Sequence, residues 1–296
     1  MSSPDYCAPA NKTITTPRMA LPEGACDCHF HIFDAPSIQV PMRGYSAPPA
    51  TVSDYRILQK TLGFQRSVIV QPSVYGSDNE TSLSVCQSDP NMKAVIVVDD
   101  DVTDAQLRTF HDRGAVGCRV NLLFASGIDY SGIDYSDRQS DKLTALAKRI
   151  ADYGWHLQLL ADISQCEDWL PALADLPVPV MFDHMGHMPA HLGTSHPAFQ
   201  RFLSYLADGK IWAKLSAAYR ITNPESEGYD DVAAFVSSLV DANPEQLVWG
   251  TDWPHPKIPG AMPDDGDLVN WLFDWIPNGA HQKAIFTDNP EKFYGF

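Results

Sequence analysis

Eight apolar runs of strand length recur between residues 25 and 253, and each is followed by a stretch whose apolar residues return with helical period. The runs are ACDCHFHIF (25–33), SVIVQP (67–72), KAVIVVD (93–99), VGCRVNL (116–122), WHLQLLAD (155–162), VPVMFDHMG (178–186), IWAKLSA (211–217) and LVWGTDW (247–253). Helical pattern falls at 52–62, 79–88, 103–113, 140–153, 164–174, 196–208, 229–242 and 265–275. An Asp-Asn turn opens the second of these, and Thr103, with Asp104 as an early acid, opens the third. Continuous apolar runs suit strands buried on both faces. The alternation therefore predicts an α/β fold, a single (β/α)8 TIM barrel over residues 21–296 behind a weakly structured N-terminal arm over 1–20. A doubly wound open sheet would also alternate, but its first strand should enter a glycine-rich phosphate turn, and CDCHFHIFDAPS has none. The tandem SGIDYSGIDYS (126–136) is too short for a repeat architecture and follows the fourth run, where a barrel carries a loop over its active face.

In such a barrel the chemistry belongs at the C-terminal strand ends. Strict alternation on the first run puts Cys26, Cys28, Phe30 and Ile32 against the helices and turns Asp27, His29, His31 and Phe33 toward the barrel mouth. On the sixth run His184 is expected on the face of Val180 and Phe182, with His187 beyond it. On the eighth, Asp252 shares a face with Val248 and Gly250, and the glycine is expected to leave room for substrate or water. Arg119 and Asn121 end the fourth run and Ser73 follows the second. The seventh leads through Lys214 and Ser216 to Tyr219 and Arg220. One histidine in a strand is most often a hydrogen-bonded core residue, whereas polar residues closing six strands argue jointly for a site.

Composition narrows the classes of function. With 21 Lys and Arg against 37 Asp and Glu, a net charge of −16, the chain repels nucleic acid and anionic membranes unless a local patch reverses the sign. No segment approaches the ~20 apolar residues of a membrane span, and the polar opening MSSPDYCAPANKTITTPRM lacks the apolar core of a signal peptide. A cytoplasmic enzyme acting on a small molecule, as monomer or homo-oligomer, is expected. The cysteines at 7, 26, 28, 86, 118 and 166 form neither a disulfide framework nor a C-x-x-C pair and are read as buried thiols.

The motifs DCHFHIF, DHMGH and WGTDWPHP, in this order on the first, sixth and eighth runs, resemble the amidohydrolase superfamily and specifically its amidohydrolase-2 branch. The resemblance extends through LGFQRSVIVQPS, GSDN, GCRVNLL and GYDDVAAF over nearly the whole chain. It implies a hydrolase that opens a lactone, the cyclic ester of an organic acid, with Asp252 as the base that activates water. His29, His31 and His184 would polarise the carbonyl and hold the water or the oxyanion. Tyr45, Ser73, Arg119 and Arg220 fall on the branch's substrate-binding positions, and His187 and His255 join them as candidates. Dicarboxylate lactonases of the branch carry two further arginines, one soon after the GxRxN strand and one in DHMGR. Here LLFASGIDYSGIDY and His187 stand in their places, and Leu159 and Leu160 replace a tyrosine. Two lost guanidiniums remove bidentate carboxylate clamps. The expected substrate is therefore an anionic lactone of another kind, of the muconolactone, sulfomuconolactone or sugar-acid type, unless His187, His255, Tyr130 or Tyr135 recovers the binding.

Many amidohydrolases hold two metals through a bridging lysine or glutamate on strand four, the position of Arg119 in this chain. A permanent cation is no ligand, and His156 opens its strand at the wrong end of the barrel. No cofactor is favoured; one divalent ion, zinc, on His29, His31 and Asp252, with or without His184, stays open. So do a zinc-dependent decarboxylase of an aromatic or muconate-type acid, a lactone isomerase, and a barrel that binds a metabolite without turning it over.

Overall fold

The structure, a computed structural model, describes residues 5–41, 43–123, 137–226, 228–258 and 260–296. The SGIDYSGIDYS stretch, with Tyr130 and Tyr135, lies outside them. Eight parallel strands pair in chain order: β1 (Cys26–Phe30), β2 (Arg66–Val70), β3 (Met92–Ile96), β4 (Ala115–Asn121), β5 (His156–Leu160), β6 (Val180–Phe182), β7 (Trp212–Ser216) and β8 (Leu247–Gly250). The ring is closed by the tails of β1 and β8. The Asp252 N–H donates to the His29 carbonyl and the His31 N–H to the Trp253 carbonyl, each at 2.7 Å. The expected TIM barrel is what forms.

The helices fall where the periodicity placed them: α1 (Val52–Leu62), α2 (Glu80–Gln87), α3 (Asp104–Asp112), α4 (Asp137–Ala151), α5 (Leu170–Ala174), α6 (Pro197–Ala207), α7 (Asp230–Ala242) and α8 (Asp265–Trp275). Thr51 and Thr103 close capping boxes with Asp54 and Gln106, which satisfies the first N–H groups of α1 and α3. The fifth helix is shorter than its pattern, because a 3-10 turn over Glu167–Trp169 precedes Pro171 in its first turn. A further segment, α9 (Gly279–Lys283), a π turn (Ala284–Asp288) and α10 (Asn289–Tyr294), is not foreshadowed by the strand–helix alternation. Phe293, Tyr294 and Phe296 pack under the barrel, with the Phe293 ring 4.5 Å from Trp212 and 4.7 Å from His156.

The interior corrects the expected facing of β1. Cys26 and Cys28 cluster with Val68, Val70, Val95, Met181, Trp212 and Val248, residues of strands from around the ring that only the barrel interior can bring together. Asp27 points outward, to the Tyr55 hydroxyl of α1 and to Thr251. The β1–β2 register shifts between Asp27 and Phe30. This irregularity rephases the strand so that His29 as well as Cys28 turns inward, while Phe30 stacks on Tyr55 outside at 3.6 Å. Strand β6 departs in a related way. Val180 and Phe182 face the helices, with Phe182 edge-on to Phe202 of α6, and Met181 faces in. His184 does not share the face of Val180 and Phe182, because β6 ends before it and its φ of +50° swings the side chain inward. The room expected above Gly250 is also filled: a Cβ there would lie 2.6 Å from the Cβ and the backbone nitrogen of His29. The glycine permits two strands to approach.

The arm that precedes the barrel is tied down. Asp5–Tyr6 pairs with Tyr45–Ser46, Thr15 bonds Asp264 at the start of α8, and Arg18 bonds Asn270 and Asp274. All six cysteines are buried and none forms a disulfide. Among the described residues no helix is long and apolar enough to cross a membrane.

Candidate active site

Non-glycine residues with positive φ cluster where β6, β7 and β8 end: His184, Met185, His187, Ala217, Asp252, His255 and Lys257. Such conformations cost about 1–3 kcal/mol each and persist where the surrounding structure over-determines them. Here they turn the chain sharply, and those at His184 and Asp252 bring both side chains to one point over the barrel axis. That point is Asp252 Oδ1. It lies 3.4 Å from His29 Nε2, 3.3 Å from His31 Nε2 and 4.0 Å from His184 Nε2. The other oxygen, Oδ2, accepts from the Tyr219 hydroxyl at 2.6 Å and from Arg220 at 2.9 and 2.8 Å. One carboxylate oxygen is thus saturated with donors. The other, like His29 Nε2, has no hydrogen-bond partner among the described residues.

Each imidazole is held from behind. His31 Nδ1 lies 2.7 Å from the Val70 carbonyl, an obligate acceptor, so this nitrogen carries a proton, and the neutral tautomer it selects presents a lone pair at Nε2. His184 Nδ1 meets the Ser216 hydroxyl at 2.9 Å. His29 Nδ1 sits 3.2 Å from Asp183 and 3.3 Å from the Lys214 ammonium. Below it, Asp183 also contacts Lys214 at 3.5 Å, Arg119 at 3.1 Å and Gln158 at 3.2 Å, and Lys214 donates to Gln158 at 2.7 Å. Burial, the largest single influence, opposes the charge on Asp252, yet Arg220 together with His184, His31 and His29 outweighs it and holds the carboxyl well below the usual carboxylate range. For Asp183 burial is likewise outweighed, by its contacts with His29, Lys214 and Arg119. Burial depresses His29 to about 3 and His184 well below the ordinary imidazole value. An anionic carboxylate therefore faces the neutral rings of His29 and His184.

A cavity of about 240 Å³ opens over this centre, with His31, His184 and Asp252 at its polar end. Tyr45, Ser73, Arg119, His187 and Arg220 line it, joined by Asn121, Lys257, Leu123, Leu160 and Pro256. His29 lies beneath, fully buried. His255 is not brought to the cavity. It is buried behind Tyr219, whose side chain stands between it and Asp252. Lys214 and Tyr219 are expected only as polar residues leading out of the seventh run, and Asp183 and Gln158 are not among the expected site residues. Gln158 and Lys214 carry the signal of a polar letter inside an apolar strand, HLQLL and WAKLS, whereas Asp183 and Tyr219 lie past the ends of β6 and β7.

The donor atoms of His29, His184 and Asp252 lie within 4.8 Å of one another and could hold a metal ion. The unpartnered His29 Nε2 and Asp252 Oδ1, both buried, make the set a fit for one divalent ion. Among the described residues no second group of three such donors lies together.

The family model described as "Amidohydrolase" matches residues 26–296. A 2-pyrone-4,6-dicarboxylate hydrolase of Comamonas testosteroni is 32% identical over 94% of this chain and 92% of its own length. A 4-sulfomuconolactone hydrolase of Hydrogenophaga intermedia is 31% identical over 98% of this chain and 94% of its own. An apo crystal structure from Agrobacterium tumefaciens superposes with a TM-score of 0.83 at 27% identity, covering 95% of this chain and 98% of that one.

Proposed function

Because this chain belongs to the amidohydrolase family, we propose that it hydrolyses the lactone of a small anionic organic acid, with Asp252 as the general base. The observation that carries the reading is the division of Asp252 into a saturated oxygen and a free one that faces three imidazole nitrogens. A water molecule at Oδ1 gives its proton to the carboxylate as its oxygen bonds to the lactone carbonyl. His31, with its Nδ1 proton tied to Val70, accepts the second hydrogen of that water and turns the oxygen lone pair toward the carbonyl. With the Ser216 hydroxyl donating to Nδ1, His184 carries its proton on Nε2 and donates to the oxyanion. The ring C–O bond then breaks, the leaving oxygen takes the proton from Asp252, and an open-chain acid results. His29, His184 and Asp252, with His31 beside them, are the residues that would hold a divalent ion, which when bound supplies Lewis-acid polarisation of the carbonyl and a more acidic water.

The walls indicate the substrate class. Arg119 and Arg220 each spend part of a five-donor guanidinium on an aspartate and border the cavity with Tyr45, Ser73 and His187. These groups suit one or two anionic substituents on a single small ring. The two hydrolases compared above are named for lactones of anionic acids. His187, where the dicarboxylate pattern has arginine, favours a muconolactone, sulfomuconolactone or sugar-acid lactone over a pyrone dicarboxylate.

A panel of such lactones, followed by proton release with and without a chelator, tests the reading. One of them should be opened by the native chain, and Asp252→Asn should lower kcat at least ~1,000-fold while the thermal unfolding transition persists. Turnover of every lactone at the uncatalysed rate, or an Asp252→Asn variant within tenfold of the native rate, would overturn it.

A further inference from the structure

Behind the catalytic carboxylate runs a buried chain of four side chains. The Tyr219 hydroxyl lies 2.6 Å from Asp252 Oδ2, His255 Nδ1 lies 3.0 Å from the same hydroxyl, and His255 Nε2 lies 3.2 Å from Asp265 Oδ1. His255 is fully buried and Asp265 is 3% exposed. His255 Nε2 and Asp265 Oδ1 face each other without hydrogen-bond geometry, and neither has a hydrogen-bond partner among the described residues. Asp265 opens the eleven-residue helix α8, whose N-terminal end favours a carboxylate.

Counting protons sets the direction of each link. A phenol has one proton, and an oxygen 2.6 Å from a carboxylate must use it there, because two lone pairs would otherwise meet. The phenol oxygen is then an acceptor toward His255, so Nδ1 carries a proton. His255 Nε2 and Asp265 Oδ1, 3.2 Å apart, make a buried polar contact behind it. The two hydrogen-bonded links, Nδ1 to the phenol oxygen and the phenol to Oδ2, both run toward Asp252.

We propose that His255 and Asp265 are positioning residues for the base: acting through Tyr219, they hold a hydrogen bond on Asp252 Oδ2 and so leave Oδ1 as the reacting oxygen. The inference rests on Asp252 being the base of the lactonase reaction. It explains why a histidine next to the active-site turn touches no cavity. It also explains the left-handed backbone of His255, with φ of +59°, which turns the ring away from the mouth and into the gap between Tyr219 and α8.

Two near-isosteric variants test it. Tyr219→Phe and Asp265→Asn should each lower kcat about tenfold or more with KM within twofold of native. In the Tyr219→Phe background Asp265→Asn should have no further effect on kcat, because its route to Asp252 has been cut. Factors that multiply in the double variant, or an Asp265→Asn kcat equal to native, would overturn the proposal. A second readout needs no turnover. Imidazole 15N shifts of labelled native protein should show His255 Nδ1 protonated, and a bare Nδ1 would refute the chain. If no lactone is opened but Nδ1 is protonated, the functional reading has failed and the hydrogen-bond chain stands.

Discussion

An alanine at position 250 would put a methyl group 2.6 Å from the His29 Cβ, and one at 117 would put it 2.4 Å from the His156 ring. The clashes are alike and the locations opposite, one under the Asp252 carboxylate and one at the base of the barrel. Both Gly250→Ala and Gly117→Ala should lower stability by about 1–3 kcal/mol in denaturant titrations. Only Gly250→Ala should also depress kcat, at least tenfold, since it displaces His29; equal kcat values for the two variants would contradict this. The same residues show how far individual letters can be read. Glycine in WGTDW signalled a close approach, but whether a ligand or a neighbouring strand approaches is a property of the partner, and the partner is 221 positions away in sequence. His255 was legible as polar and near the site. Its facing was not, because a positive φ reverses what alternation would give.

At the scale of the element, strand ends hold the departures from pattern. Hydrophobic periodicity located all eight strands and eight flanking helices, because burial on both faces demands apolar residues wherever the chain is extended. It overran β1, β6 and β8, since residues such as His184 and Asp252 continue an apolar run in sequence while leaving the extended conformation. Nor could it show the register shift in β1, which depends on hydrogen bonding to β2. Inside the strands, Lys214 on β7, Gln158 on β5 and Arg119 on β4 converge on Asp183 just past β6. Asp183→Asn should therefore cost about 3–5 kcal/mol, because two buried cations lose their shared counter-ion. Lys214→Met in the same background should restore part of the loss in equilibrium unfolding. An Asp183→Asn variant as stable as native would show that the network contributes little.

Across the barrel, burial keeps four histidines neutral. Burial lowers His29 and His156 to about 3 and His187, helped by Arg220, to about 4, and it takes His184 well below its ordinary value. In the unfolded chain each titrates near 6.5. Above about pH 6.5 both states are neutral at these positions and the full stability is present. As the pH falls toward the folded values, the unfolded chain binds protons that the barrel refuses, and stability is lost. Urea midpoints should decline steadily from pH 7 to pH 4.5, and a flat profile over that range would show that these rings are protonated in the fold. The alternation of apolar and amphipathic segments determined the barrel by itself, since each segment's burial follows from its own composition. The motifs at the strand ends likewise named the residues that meet over its axis. Tertiary structure alone decided which oxygen of Asp252 is free, which imidazole nitrogen faces it, and that His255 stands behind Tyr219 and Asp252 while Asp183 ties Lys214 and Arg119 together. Those are distances between side chains from different strands, set by register, left-handed turns and the proton each group has to give, and no local run of sequence encodes them.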